Sequence, residues 1–346
     1  MNLSDFSRKL IDRESKILIK NSAWLFPAKI ISVGSTFLES IILARFLGPA
    51  TFGVYILMLT FVDTIQEFIN FNTDSAVVKY ASEFKVKEEY FHLVAFLKMM
   101  FFITFISILL SMIIIGIYLN LTNGHLLIKS DLGLSFIIIF ALARGLLLLD
   151  NINMALLRVF ENFRLVSIIQ IILSCGQLLI VGLSAYLSRG KFTTILVAVI
   201  TSNILSAFIK QISVVYVFWG SLQNYRSASI ELLKGRRKEI FKFIISNSLS
   251  RTVKIIHTRA DVLILGSFAS TAAVGLYSVA KKLVSLIPLV TDPISLAIYP
   301  QISALVSKGD LSSLRTLLRN ITTLLSIPVV IFVLFIITFG DSVIGI

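Results

Sequence analysis

The chain has 346 residues, of which 56% are hydrophobic and only 15% are charged, and its mean hydropathy is +0.91. Soluble domains carry about a quarter charged residues, so this composition excludes a soluble domain and indicates an integral membrane protein. The net charge of +13 would suggest nucleic acid as a partner of a soluble chain, but here we expect it to orient helices. The single Cys175 leaves neither a disulfide framework nor zinc-ligand spacing.

The first twenty residues are basic and contain no apolar run, so we predict a cytoplasmic segment rather than a secretory signal peptide. Apolar stretches follow that are long enough to cross about 30 Å of hydrocarbon as helices. They predict nine transmembrane helices, at about 21–47, 52–72, 91–120, 132–150, 166–187, 192–219, 241–269, 273–305 and 318–340. Because these runs lack the alternation of barrel strands, the predicted fold class is all-α, a polytopic membrane protein.

Basic residues indicate how the helices are oriented. If the N-terminus lies inside, most Lys and Arg fall on inner segments, above all at 221–242, whereas the outer segments hold Lys129, Arg189 and Lys191. Cytoplasmic loops of membrane proteins carry this excess of positive charge. We therefore predict a multi-pass protein of the cytoplasmic (inner) membrane with its N-terminus in the cytoplasm.

An internal repeat divides the chain, because residues 41–55 align with 263–277 at an offset of 222 residues. Four identities support the alignment: Phe46 with Phe268, Ala50 with Ala272, Gly53 with Gly275, and Tyr55 with Tyr277. We predict an N-lobe of six helices at 21–220, a basic cytoplasmic loop at 221–242 and a partial C-lobe of three helices at 243–346.

The second copy of the repeat is shorter than the first. At full length it would extend well beyond Ile346, so the C-lobe is expected to be incomplete. Repeat transporters place their binding site between the repeats. This favours a truncated chain over an unusual nine-helix protein.

A family resemblance is carried by two signatures. The first, ARFLGPATFGVYILMLTFVDTIQEFINFNTDSAVVKYASEF (44–84), resembles the first-to-second helix signature of the polysaccharide (oligosaccharide, O-antigen type) flippases. The second, TRADVLILGSFASTAAVGLYSVAKKL (258–283) followed by AIYPQISAL (297–305), resembles their seventh-to-eighth helix signature. These flippases belong to the multidrug/oligosaccharidyl-lipid/polysaccharide exporter superfamily. The resemblance implies a two-lobe, MATE-like helical bundle of twelve or fourteen helices, from which this chain departs by its incomplete second lobe.

Polar residues recur on one face of several predicted spans. Ionisable residues inside the membrane are costly and mark pathways, although polar stripes also join helices by hydrogen bonds. We predict that these stripes line a cavity between the lobes. The candidate substrate-binding residues are Lys29, Glu39, Asp63, Glu67, Arg144, Arg251, Lys254, Asp261, Lys281 and Asp292. Four further cations, Arg45, Lys98, Lys210 and Arg259, are assigned to interface anchoring or local pairing.

Enzyme and cofactor motifs are absent from the sequence. It contains no GxxxxGK[ST], GxSxG or HExxH pattern, so we predict neither an enzyme nor a bound cofactor. The three histidines, His92, His125 and His257, are too far apart in sequence to suggest a metal site.

The leading hypothesis is a flippase that moves a polyprenyl-diphosphate-linked oligosaccharide by alternating access. Lys29, Arg251, Lys254 and Lys281 would contact the diphosphate, and the carboxylates would pair with these cations when a gate closes. Expected partners are the lipid-linked glycan, membrane lipids, and a glycan polymerase with export machinery, but no nucleic acid. The alternatives are a multidrug or cation antiporter of the same superfamily, a lipid II flippase and, from a different class, a membrane glycan polymerase.

Overall fold

The computed structural model describes residues 3–122, 133–288 and 312–320, and beyond them residues 322, 323, 326, 330, 334 and 338. Side chains are described from residue 24 onward, except at residue 134 and at residues 219–223. Throughout these described residues the chain forms helices and turns and no strand. The prediction of an all-α fold is therefore confirmed.

The first helix, α1 (Leu3–Ile69), is broken at Gly48, where φ is 73° and ψ is 163°. Glycine adopts this conformation without the clash that a Cβ would cause, and Pro49 follows with the φ of a helix start. The break separates a first arm, residues 3–47, from a second arm, residues 49–69. These arms correspond to the first two predicted spans.

The remaining elements follow in chain order. After the second arm come α2 (Thr73–Ala76), a π-helical turn (Val77–Ala81) and α3 (Ser82–Val86), and then the long helices α4 (Tyr90–Thr122), α5 (Leu134–Val159), α6 (Phe163–Leu187) and α7 (Phe192–Leu222). A linker with two 3-10 turns (Gln223–Tyr225 and Ile230–Leu233) leads to α8 (Arg237–Phe268) and α9 (Thr271–Val284).

Among the described residues, five helices are long and apolar enough to cross a membrane: α1 from Trp24 onward, α4, α5, α6 and α7. With its break, α1 covers two of the predicted spans. Helix α8 has 32 residues but is too polar to qualify, because it carries Arg251, Lys254, Arg259 and Asp261. Such a helix must be covered by other protein elements or face water within the bundle.

Two apolar clusters hold α8 and α9 against the N-lobe. One is built around Leu57, Met58 and Phe140 and includes Val262 of α8 and Val274 of α9. The other is built around Tyr80, Phe84 and Phe96 and includes Ile240 and Ile244 of α8. Because both clusters contain residues from both lobes, α8 is fixed near each of its ends, and its polar middle faces α1.

Candidate functional site

Three cavities with charged residues in their lining lie around the contact of α1 with α5 to α9. The N-lobe cavity, of about 390 Å³, is enclosed by the first arm of α1 and by α5, α6 and α7. The α8 cavity, of about 460 Å³, lies between the end of α1, α2 and α8. The α9 cavity, of about 280 Å³, lies between the second arm of α1, α8 and α9. The last two are bounded by α1 on one side and by α8 on the other, and α9 also lines the α9 cavity.

Arg251 and Lys254 supply two cations to the α8 cavity. Nη1 of Arg251 donates to Oδ1 of Asn72 at 2.6 Å and lies 3.4 Å from Oδ1 of Asp74. Asn72 can present its oxygen there because its own backbone adopts the left-handed conformation, with φ at 47°. Lys254 is exposed, and its ammonium makes no ion pair with any described carboxylate. An anion entering this cavity would therefore meet the unengaged Lys254 beside the engaged Arg251.

A chain of ion pairs crosses the middle of the lobe contact. Arg144 of α5 donates two parallel hydrogen bonds to Asp63, from Nε to Oδ1 at 2.8 Å and from Nη2 to Oδ2 at 2.7 Å. Arg259 of α8 donates from Nη2 to Oε1 of Glu67 at 2.6 Å, and its Nη1 lies 3.7 Å from Oδ2 of Asp63. All four side chains are at most a quarter exposed. Two carboxylates of one lobe thus share guanidinium groups from both lobes.

A second group of charges links α8 to α9. Nζ of Lys281 lies 2.7 Å from both carboxylate oxygens of Asp261 and donates to the carbonyl of Thr258 at the same distance. Tyr277 donates from its hydroxyl to Oδ2 of Asp261 at 2.5 Å. Both predicted residues, Asp261 and Lys281, are therefore paired with each other within the C-lobe.

The N-lobe cavity holds a separate set of polar groups. Nε2 of Gln177 donates to the two carboxylate oxygens of Glu39, at 3.0 and 3.1 Å, and Nζ of Lys210 donates to Oδ2 of Asp150 at 2.9 Å. Arg144 also lines this cavity. Glu39 lies on the first arm of α1 and faces α6, so the structure places it on the N-lobe cavity.

The structure distributes the ten candidate residues unevenly. Glu67, Arg251 and Lys254 line the α8 cavity, and Asp63 and Lys281 line the α9 cavity. Lys29 is exposed on the first arm of α1 and is not among the residues that line the three cavities. Asp292 lies outside the described residues, and the substrate-binding role of the whole set remains a prediction.

Two cations that line the cavities were not among the candidate residues selected from the sequence. Arg259, which was assigned to interface anchoring or local pairing, forms ion pairs and also lines both the α8 and the α9 cavity. Lys282 lines the α9 cavity beside Lys281. Both lie off the polar stripes of their helices, and their long side chains carry the charge around the helix. The two carboxylates Asp63 and Glu67 on one helix face were the available signal that more than one cation lies opposite.

A further cluster joins the segment after α1 to the start of α8, outside the membrane-spanning segments. Nη2 of Arg236 donates to Oε2 of Glu83 at 2.9 Å, and Nζ of Lys87 donates to Oε1 of the same carboxylate at 2.7 Å. These hydrogen bonds, that of Arg236 foremost, lower the pKa of Glu83 to about 2. Tyr80 donates to Glu239 at 3.2 Å, and burial followed by the nearby Glu239 charge raises its pKa to about 12.

The described part of the chain shows no candidate metal centre. Among the residues whose placement is described, no three His, Cys, Asp or Glu side chains come together in a way that could hold a metal ion.

A bundle of helices, of which five among the described residues are long and apolar enough to cross a membrane, defines a multi-pass membrane protein of the MATE fold. The crystal structure of MATE in complex with Br-NRF shares this fold with a TM-score of 0.53 at 16% sequence identity, over 92% of this chain and 76% of that one. The model of the polysaccharide biosynthesis protein family matches residues 18–306. The chain belongs to this family, which confirms the resemblance seen in the sequence.

A similar curated protein comes from Haloferax volcanii and is named probable low-salt glycan biosynthesis flippase Agl15. It is 26% identical over 338 residues, which cover 95% of this chain and 65% of the relative. The chain thus spans about two thirds of the length of this relative.

Proposed function

We propose that this chain is a transporter rather than an enzyme, and that it moves a polyprenyl-diphosphate-linked oligosaccharide across the cytoplasmic membrane for glycan biosynthesis. The observation that carries the proposal is Lys254, an unpaired ammonium beside Arg251 in a cavity of about 460 Å³ between the lobes. A diphosphate that leaves water needs such charge-assisted contacts. The glycan biosynthesis flippase named among the similar proteins supports the same substrate class.

Alternating access would use the ion pairs between the lobes. Arg259 contacts Glu67 and Asp63 across the lobe contact, and Arg251 contacts Asn72 and Asp74. If α8 moves away from α1, these cations lose their partners and become available to the diphosphate. The carboxylates would recapture them after release, so that the empty cavity does not retain an anion. Sugar hydroxyls would meet side chains such as Asn247 and Ser250 in the same cavity.

The proposal includes an orientation and partners. The basic N-terminal segment and linker favour a cytoplasmic N-terminus, by the excess of positive charge on cytoplasmic loops. The substrate would come from cytoplasmic enzymes that assemble the lipid-linked glycan, and the product would pass to a polymerase and export machinery. Membrane lipids surround the apolar helices.

The first test measures transport of a fluorescent polyprenyl-diphosphate oligosaccharide in proteoliposomes. The second measures surface glycan in a strain that lacks its own flippase and expresses this protein, or a variant, from this protein's native gene. Lys254→Ala and Arg251→Ala should each lower transport about tenfold, because the loss of one charge-assisted contact costs roughly 1.4 kcal/mol or more. Lys191→Ala removes an exposed lysine between α6 and α7 and should leave transport unchanged.

Two outcomes would contradict the proposal. Full transport by Lys254→Ala and Arg251→Ala at normal protein levels would show that the α8 cavity does not bind the substrate during transport. Transport of lipid II or of cationic drugs, with none of the lipid-linked oligosaccharide, would assign the protein to one of the alternative substrates.

A further inference from the structure

An apolar groove of about 390 Å³ lies between α4 and α8, apart from the three cavities described above. Its walls include Phe71, Phe102 and Ile106 on the N-lobe side, and Phe241 and Ile244 on α8. Phe102, Ile106 and Phe241 are each more than 40% exposed, so the groove opens to the exterior of the bundle. In a membrane protein that exterior is lipid, and a groove of this kind accepts a hydrocarbon chain.

One end of the groove carries a charge. Arg237 is the one charged residue among the described side chains of the lining. It lies on the same face of α8 as Phe241, four residues later, and Ile244, three residues after Phe241. These positions span about 10 Å along the helix. The groove is therefore cationic at the first turn of α8 and apolar farther along the helix.

The guanidinium of Arg237 is held in position but not neutralised. Its Nη2 donates to the carbonyl of Ile230 in the linker at 3.0 Å, whereas its buried Nε has no hydrogen-bond partner. No carboxylate occurs in the described lining. A planar guanidinium with donors to spare binds a phosphate through parallel hydrogen bonds.

The chain segment that carries Arg237 is also rich in lysine. Lys234, Lys238 and Lys242 are exposed at intervals of four residues along the linker and α8, and none of them makes an ion pair with a described carboxylate. The linker itself is fixed onto α4, since Nζ of Lys98 donates to the carbonyls of Arg226 and Ala228 at 2.6 and 2.9 Å. These hydrogen bonds hold the charged end of the groove in a defined position.

We propose that this groove binds one anionic phospholipid, with its phosphate on Arg237 and an acyl chain against Phe102, Ile106, Phe241 and Ile244. A headgroup at the first turn of α8 and a chain that extends along the helix match the orientation of a lipid in the leaflet where α8 begins. The diphosphate-binding cations proposed for transport face a different cavity, so this assignment does not depend on the proposed function. Because α4, the linker and α8 all contribute, the lipid joins the two lobes.

The experiment measures lipid retained by the purified, delipidated protein after incubation with vesicles of phosphatidylcholine containing phosphatidylglycerol, read by native mass spectrometry. One phosphatidylglycerol should remain per chain in preference to phosphatidylcholine. Arg237→Gln should lower its retention about tenfold, as expected for loss of a charge-assisted phosphate contact. Arg45→Gln, a matched change at an exposed arginine on α1, should leave retention unchanged.

A second pair of variants tests the apolar part without touching the charge. Ile106→Trp should fill the groove and lower retention, whereas Ile113→Trp, two turns along the same exposed face of α4, should not. Phosphatidylglycerol with a photoreactive group in its acyl chain should label α4 and α8 near Phe102 and Phe241.

Three results would overturn the assignment. The first is equal retention of phosphatidylcholine and phosphatidylglycerol, and the second is unchanged retention of phosphatidylglycerol in both Arg237→Gln and Ile106→Trp. The third is displacement of the phospholipid by an equimolar polyprenyl phosphate, which would show that the groove binds the tail of the substrate.

Discussion

Gly53 and Gly275 face each other where the second arm of α1 crosses α9, and they occupy equivalent positions of the internal repeat, 222 residues apart. A Cβ on Gly53 would run into the carbonyl of Thr271 and lie 3.1 Å from the nitrogen of Gly275. A Cβ on Gly275 would run into the carbonyl of Pro49 and lie 3.2 Å from the nitrogen of Gly53. Pro49 and Thr271 are equivalent as well, so the two copies meet through a symmetric contact, as repeats related by a pseudo-two-fold axis do.

This contact predicts that Gly53→Ala and Gly275→Ala destabilise the joined lobes. The groups in the way are backbone carbonyls, which cannot move aside as a flexible side chain can, so each methyl should cost about 1–3 kcal/mol as overpacking. The measurement is the free energy of unfolding of the purified protein in micelles. Gly34→Ala is the matched control, because a Cβ there meets nothing within 4 Å. Equal stability of Gly53→Ala and Gly34→Ala would mean that the lobes do not pack in this way.

The sequence predicted the helices well where apolar runs end in a clear signal. The break at Gly48 and Pro49 is one such place. The fourth span is different, since its predicted end at residue 150 lies nine residues before the observed end of α5 at Val159. The final turns carry Asn151, Asn153 and Arg158, which lower the hydropathy without breaking the helix. Two of these, Asn151 and Arg158, line the N-lobe cavity, so the helix is polar there because it faces an interior cavity.

The site was predictable only in part. Helical periodicity placed Glu67 on a polar face of α1 and Arg251 on a polar face of α8, and the structure brings both to the α8 cavity. Periodicity does not reveal which neighbour a face meets, so it did not indicate that Glu39 accepts hydrogen bonds from Gln177 of α6. It also assigns a direction to the Cβ and not to the end of a long side chain, which is why Arg259 and Lys282 were not selected.

The double hydrogen bond from Arg144 to Asp63 predicts a large penalty for losing one partner. Asp63→Asn leaves the guanidinium of Arg144 without its carboxylate in a largely buried position, and the cost should be roughly 3–5 kcal/mol of unfolding free energy. The double variant Asp63→Asn with Arg144→Gln should be less destabilised than the sum of the single variants, because neither change then leaves an unpaired charge.

The exposed pair of Glu89 with His92 provides the control for this cycle. Their side chains are 40% and 37% exposed, so Glu89→Gln should change the unfolding free energy by less than about 1 kcal/mol. Strict additivity of Asp63→Asn and Arg144→Gln would show that the two groups do not interact in the folded protein.

The pKa of Glu83 predicts an acid-sensitive contact between the segment after α1 and the start of α8. Hydrogen bonds from Arg236 and Lys87 lower this pKa from 4.5 to about 2 in the folded protein. A lowered folded-state pKa stabilises the folded protein when the carboxylate is ionised. This stabilisation is complete above pH 4.5 and is lost as the pH falls from 4.5 through about 2.

Glu83→Gln should therefore be less stable than the unmodified protein at neutral pH, and the difference in melting temperature should shrink across this window. Comparing the two proteins cancels the titration of the other carboxylates. Glu231→Gln removes an exposed carboxylate of the linker and should follow the unmodified protein at every pH. A difference that stays constant down to the lowest pH would show that Glu83 does not hold Arg236 through its charge.

The exposure of Lys254 predicts that the α8 cavity is filled with water. In a Cys175→Ala background, Lys254→Cys should react with a charged, membrane-impermeant thiol reagent, because its side chain faces the cavity. Leu249→Cys lies on the same helix and is 67% exposed, but it points away from the cavity lining and should react slowly, since lipid excludes the charged reagent. The rates are measured in inverted and right-side-out vesicles, which also reports the side from which water enters. Equal reaction rates for the two cysteines would contradict this prediction. They would show that both faces of α8 are in contact with water, so that the α8 cavity is part of an open surface.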